Sequence, residues 1–291
     1  MTVLAVEFQS NWLEVLRSSF LQNALIGGSL VAVAAGLLGY FVITRQNAFA
    51  AHALAHIGFP GATGAILVGA PVTLGLTVFC VAGGLLIGLF GRRVADREMA
   101  TGTILALATA LGVLFASLAS ANASTTTSVL FGNLLAISDD QLVVFAAFTA
   151  AVVLTLAVLA RPLVFASVDP AVAEARGVPV RALGIAFIVL LALTITMAVQ
   201  VVGTLLLFAL VVTPAATALR LTARPVLVAA IAVGLALASV WGGLVLSAMV
   251  DLPPSFFIVS LAVLAWLAVL AWSGRRPRPA EPPLVDAHHP H

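Results

Sequence analysis

The stretch AAHALAHIGFPG at residues 50–61 sets two imidazoles, His52 and His56, one helical turn apart inside an apolar run. The other three histidines of the chain are His288, His289 and His291. Side chains at i and i+4 share a helix face, so the pair is expected to point the same way. An ionisable group at membrane depth is costly, which makes this pair a functional site by default. Two imidazole nitrogens on one face suit a divalent transition metal. Gly58, Pro60 and Gly61 follow at once and are expected to break the helix and free carbonyls, an arrangement tolerated in hydrocarbon only beside protein or a water-filled path. Intramembrane zinc hydrolysis would need HExxH, with glutamate beside the first histidine as the base. Ala53 stands there instead, and no Asp or Glu in another apolar run offers a third ligand. Catalysis lacks its base, while binding and passage of a metal remain.

The elements that position this pair follow from composition. A chain of 291 residues that is 62% hydrophobic and 8% charged is far more apolar than a soluble domain. Runs of membrane-spanning length recur along it, without the alternation of a barrel strand, and they predict an all-α, polytopic helical bundle. No cleavable signal peptide is expected, because Glu7, Glu14 and Arg17 interrupt the first twenty residues. Cys80, the single cysteine, reads as a small packing residue. All thirteen basic residues are arginine. Without lysine the chain hosts neither a phosphate-binding P-loop nor a Schiff-base enzyme, so any ATP site belongs to another polypeptide.

Spans are predicted at 22–43, 50–68, 72–91, 100–119, 140–160, 183–201, 203–219, 226–249 and 256–272. The run 203–219 is short, opens at Gly203 and contains Thr213-Pro214, so a broken span is expected there. With nine crossings, Arg45, Arg92, Arg93, Arg97, Arg161, Arg176, Arg181, Arg220, Arg224, Arg275, Arg276 and Arg278 all fall on one side. The positive-inside rule makes that side cytoplasmic, with the N-terminus outside and the C-terminus inside. Residues 1–21 read as an extracytoplasmic or interfacial segment and 22–272 as the transmembrane domain. Residues 273–291, Arg/Pro-rich and ending HHPH, read as a disordered cytoplasmic tail. The stretch SANASTTTSVLFGNLLAISDD near 120–140 reads as a short interfacial helix on the outer side. Abundant alanine and glycine in the spans favour close helix packing and a compact bundle that dimerises.

Between two spans on the arginine side, SVDPAVAEARGVPVRALG (167–184) has a helix-then-turn pattern. Asp169, Ala173, Glu174, Arg176 and Gly177 there would form a capped docking knob for a separate motor subunit.

Five stretches together resemble the integral-membrane permease of bacterial ABC importers for zinc and manganese. AHALAHIGFPG (51–61) is similar to that family's GDALSHAVLPG, and FGNLLAIS (131–138) to its FGDILAIS. DPAVAEARGVPV (169–180) resembles DEEFARALGVPV, VVGTLLLFALVVTPAATALRL (201–221) resembles VGVLLVSALLITPAATA, and DLPPSFFIV (251–259) resembles DLPSGATIV. The likeness runs from residue 18 to 272. A fainter one to cobalamin and siderophore permeases, from 167 onward, keeps a metal chelate as the alternative substrate.

The resemblance implies a homodimer in a bacterial cytoplasmic membrane that is not itself an enzyme. Its partners would be a dimeric cytoplasmic ATPase, an extracytoplasmic metal-binding protein and membrane lipid, with no nucleic acid. The transported ion would be zinc or manganese, no cofactor would be held permanently, and ATP would bind the partner. An Asp/His pair lines the path in that family. Here His56 matches the histidine, His52 replaces the aspartate, and Asn133 replaces the aspartate of FGD. Asn133, Thr213 and Pro214 are then expected along the path or its gate. Four neutral imidazoles across a two-fold axis suit tetrahedral Zn²⁺ better than Mn²⁺.

Overall fold

The computed structural model describes residues 18–90, 94–118, 132–250 and 252–273. Among them all regular structure is helical. The helices are α1 (Ser19–Thr44), α2 (Ala48–Leu67), α3 (Val72–Phe90), α4 (Val94–Leu118), α5 (Asp139–Val168), α6 (Pro170–Ala175), α7 (Val180–Val211), α8 (Thr213–Leu221), α9 (Pro225–Val250) and α10 (Pro254–Ser273). A single 3-10 turn at Leu134–Ala136 precedes α5. Seven of these helices are long and apolar enough to cross a bilayer. Helix α2, 20 residues long, has the length as well, but two histidines and Pro60 dilute its apolar character.

The helices overrun the apolar stretches that announce them, because hydropathy marks only the hydrocarbon slab while hydrogen bonding continues into the interface. Helix α4 starts at Val94 and takes in Asp96 and Glu98, and α5 runs through Arg161 and Pro162 to Val168. Helix α1 begins at Ser19, so the last residues of the expected N-terminal segment already belong to the first span. The rest of that segment, most of the expected interfacial helix and the tail after Ser273 lie outside the described residues.

Several hydroxyls in the helices back-bond to carbonyls one turn earlier, as with Thr196 Oγ1 to Ala192 O at 3.0 Å and Thr217 Oγ1 to Thr213 O at 2.8 Å. Helices α1 and α7 form the centre, each with 67% of its apolar window buried. Around them α2, α3 and α4 pack as one group, and α8, α9 and α10 as another. Glycine permits the closest approach. A Cβ on Gly36 of α1 would sit 2.7 Å from both Cα and N of Val233 on α9.

Helix α7 is broken at Gly203, whose φ of 80° and ψ of 169° lie outside helical space. Gly132 (φ 76°) presses its backbone against Val201–Gly203, where any Cβ would collide. The two ends of the following segment meet different ends of α1. The 132–137 turn beside Gly203 meets α1 at Gly27, through Ile137. Val211 and Ala215 instead meet Gly39. Gly27 and Gly39 are separated by roughly 18 Å of helix at 1.5 Å per residue.

Candidate functional site

Helix α2 is buried almost throughout, with His52, His56 and Phe59 the partly open positions between Ala51 and Ala62. Leu54 and Ile57, on the other side, are buried against their own chain, Ile57 against Gly83 of α3. The two imidazoles therefore stand on the face that the protomer leaves open, with ring centroids 4.8 Å apart and an interplanar angle of 75°. Phe208, on the segment after the Gly203 break, lies edge-on to His52 at 6.4 Å and is itself 42% exposed. Among the described residues no group of three or more His, Cys, Asp or Glu side chains converges in one chain. The pair by itself supplies two imidazole side chains.

Pro60 lies inside α2 without ending it. The expected break at Gly58–Gly61 is thus absent, and the interruption is chemical. Proline has no N–H, so the carbonyl of His56 loses its ordinary helical donor. Packing preserves the helix: Gly61 meets Gly75 of α3 backbone to backbone, and Thr63 Oγ1 donates to Phe59 O at 3.1 Å.

The sequence-predicted gate residues sit at opposite ends of the broken segment. Asn133 caps the 3-10 turn, and its N–H donates to Gln200 O at 3.1 Å. Thr213 and buried Pro214 open α8. Neither end touches the histidine pair through a described contact. Between them, Phe208 does, and sequence reasoning passed it over because an aromatic in an apolar run carries no distinguishing signal.

Gln200 was missed too, although a lone amide inside an apolar run is a legible clue. Its Oε1 accepts from Thr73 Oγ1 at 2.8 Å and Gln141 Nε2 at 3.1 Å, and its Nε2 donates to Thr196 O at 3.0 Å. Helices α3, α5 and α7 are tied together at the level of the break. Two buried hydroxyls near this axis, Thr194 Oγ1 and Thr204 Oγ1, have no partner.

At the arginine-bearing end, α6 has the capped form expected of it. Asp169 accepts from Val172 N–H at 3.0 Å, Pro170 occupies the first turn and Gly177 closes the motif at φ 80°. Ala173 is fully buried and seats this helix on its own chain. Glu174, Arg176 and Gly177 are exposed.

The described residues thus form a bundle of membrane-length helices, one of them broken at Gly203, with a histidine pair on a partly open face. The chain belongs to the ABC 3 transport family, whose match covers residues 17–273. It is 32% identical to the manganese transport system membrane protein MntC of Halalkalibacterium halodurans over 250 residues, 86% of each chain. It is 34% identical to the manganese import system permease protein ScaB of Streptococcus parasanguinis over 200 residues, 68% of this chain and 71% of that one. In structure it is similar to PsaBC from Streptococcus pneumoniae, solved in complex with a Fab, with a TM-score of 0.80 and 28% identity over 90% of this chain and 95% of that one.

Proposed function

We propose that this chain is one half of a homodimeric permease that passes a divalent metal ion, zinc in preference to manganese, from an extracytoplasmic binding protein to the cytoplasm. The observation that carries the reading is the His52–His56 pair on the open face of α2, 4.8 Å apart. Imidazoles facing lipid would be costly. Facing the same pair of a second copy, they would make four nitrogen donors around one ion. The relatives MntC and ScaB are named for manganese, which supports a divalent metal as cargo. The donor set moves the preference, since manganese favours oxygen ligands and lies lowest in the Irving–Williams order.

The drive is ATP hydrolysis on a separate subunit docked at α6, a reading supported by the absence of lysine and by the exposed Glu174–Gly177 knob. ATPase closure would shift the dimer between outward- and inward-open states. The reading has nine crossings, with the N-terminus outside. It takes the segment from Gly203 to Ala215, which runs from the level of Gly27 of α1 to that of Gly39, as one crossing, so that Arg220 and Arg224 would return to the side of Arg45 and Arg181.

The test is zinc and manganese uptake by the complex reconstituted with its ATPase and binding protein. Wild type should favour zinc, and His56→Ala should abolish uptake of both. Undiminished zinc uptake by His56→Ala refutes the site.

A further inference from the structure

A cleft of ≈ 670 Å³ opens where the arginine-bearing ends of α1, α3, α4 and α5 meet α6 and the start of α7. It is separate from the histidine face, and it borders α6, sharing Glu174 with the proposed docking knob. Three guanidinium groups line it, Arg45, Arg97 and Arg181, against one carboxylate, Glu174. Arg45 Nη1 donates to Ser167 Oγ at 3.4 Å, and its guanidinium carbon lies 5.6 Å from the centroid of the Phe187 ring. Arg97 Nη2 donates to the carbonyls of Arg45 and Gln46 at 3.0 and 3.3 Å. The partners of Arg45 here are a hydroxyl and an aromatic face, and those of Arg97 are two carbonyls, with the Glu98 carboxylate also acting on Arg97. Burial, and then the neighbouring Arg97, pull the Arg45 guanidinium below its ordinary pKa.

Asn47 lines the same cleft, is 2% exposed, and leaves its Oδ1 with no hydrogen-bond partner. A ligand suited to both features carries an anion for the arginines and a donor for this oxygen. Deeper along α7 the wall turns apolar, with Ile185 and Ile188 one and two turns beyond Arg181. A water-soluble anion has no use for that wall, whereas an acyl chain does.

We propose that this cleft binds the headgroup of an anionic glycerophospholipid, its phosphodiester held by Arg45, Arg97 and Arg181 and a headgroup hydroxyl donating to Asn47. Basic pockets between transmembrane helix ends are suited to such lipids, and guanidinium is the side chain that grips phosphate with directed hydrogen bonds.

The experiment uses the full chain in neutral detergent and measures binding of short-chain phosphatidylglycerol, short-chain phosphatidylcholine and inorganic phosphate. Phosphatidylglycerol should bind saturably, and phosphatidylcholine and inorganic phosphate should bind much more weakly. Arg181→Gln, at an exposed position that leaves folding intact, should weaken phosphatidylglycerol roughly tenfold, the factor for loss of one charge-assisted hydrogen bond. Arg45→Gln should weaken it further, and Arg161→Gln, outside the cleft, should leave it unchanged. Gly184→Val, whose Cβ would lie 3.5 Å from Arg45 Nη2, should block the cleft without removing charge. Inorganic phosphate binding as tightly as phosphatidylglycerol would overturn the lipid assignment. Equal phosphatidylglycerol affinity in Arg181→Gln, Gly184→Val and wild type would overturn the site. So would phosphatidylglycerol binding that disappears on adding the ATPase, because the cleft would then belong to a protein partner.

Discussion

In the proposed reading His52 sets the ion preference, because it determines whether the pair offers two nitrogens or a nitrogen and an oxygen. His52→Asp should raise manganese uptake relative to zinc in the reconstituted complex, since a carboxylate restores both an oxygen donor and negative charge facing a dication. His52→Ala should cut zinc uptake by more than the roughly 10–100-fold that loss of a mere supporting contact to a metal ligand produces. An unchanged metal ratio in His52→Asp would remove His52 from the path. Acidification works on the same atoms. An imidazolium has no lone pair for a metal, so zinc uptake should fall as the outer medium is acidified, and less steeply in His52→Asp. Gln200 acts by another route. Gln200→Leu would leave Thr73 Oγ1 and Gln141 Nε2 without their acceptor, and each stranded polar group costs about 1–3 kcal/mol. The detergent-solubilised variant should melt several degrees lower while keeping its zinc-to-manganese ratio.

Among the elements, α6 and the break in α7 carry opposite kinds of information. Helix α6 is held by its Asp169 cap and by buried Ala173, so changes at those two positions disturb the seat of the helix rather than its exposed surface. The exposed pair is the proper probe. Glu174→Arg combined with Arg176→Glu should leave the chain folded yet uncouple ATP hydrolysis from uptake, read as ATPase turnover without metal accumulation. Coupled transport at the wild-type rate would move the docking surface elsewhere. At Gly203 the conformation itself is the point: φ of 80° with ψ of 169° belongs to glycine. Gly203→Val should straighten or misplace the segment that brings Phe208 to His52, abolishing transport even where the protein is still inserted. Gly36→Val tests packing alone. Its new Cβ would strike the Val233 backbone, and overpacking of this kind costs about 1–3 kcal/mol, measurable as lower thermal stability in detergent.

For the whole molecule, the purified chain should hydrolyse no ATP and should do so only together with a separate subunit, since no lysine is present to build a P-loop. ATP turnover that tracks this chain through purification to homogeneity contradicts that. Topology is equally open to test, because Cys80 is buried and is the only cysteine. Single cysteines at Gln46, Arg176 and Thr222 should be labelled by an impermeant reagent only from the cytoplasmic side, and one at Gly69 only from outside. Labelling of Thr222→Cys from the outside would show that the segment after Gly203 fails to return across the bilayer.

The spans were readable from residue types because hydrocarbon imposes one simple demand, a run of about 20 apolar residues with every backbone group bonded internally. The cap-and-turn chemistry of Asp169, Pro170 and Gly177 was readable because it is local. The histidine pair announced itself through its cost in an apolar run. Other features depended on which helices meet. That His52 and His56 occupy the open face of α2 rather than its packed one follows from Gly61 and Gly83 drawing α3 onto the other side. Pro60 reads as a helix breaker in sequence, yet α2 continues through it where Gly61 packs on Gly75. Phe208 reaches His52 only because Gly203 turns the chain, and Gln200 gains its partners from helices 59 and 127 residues away. The arginine cleft likewise collects Arg45, Arg97 and Arg181 from three helices. Local chemistry and solvent preference are written along the chain, whereas the meeting of distant side chains is decided only when small residues let particular helices approach.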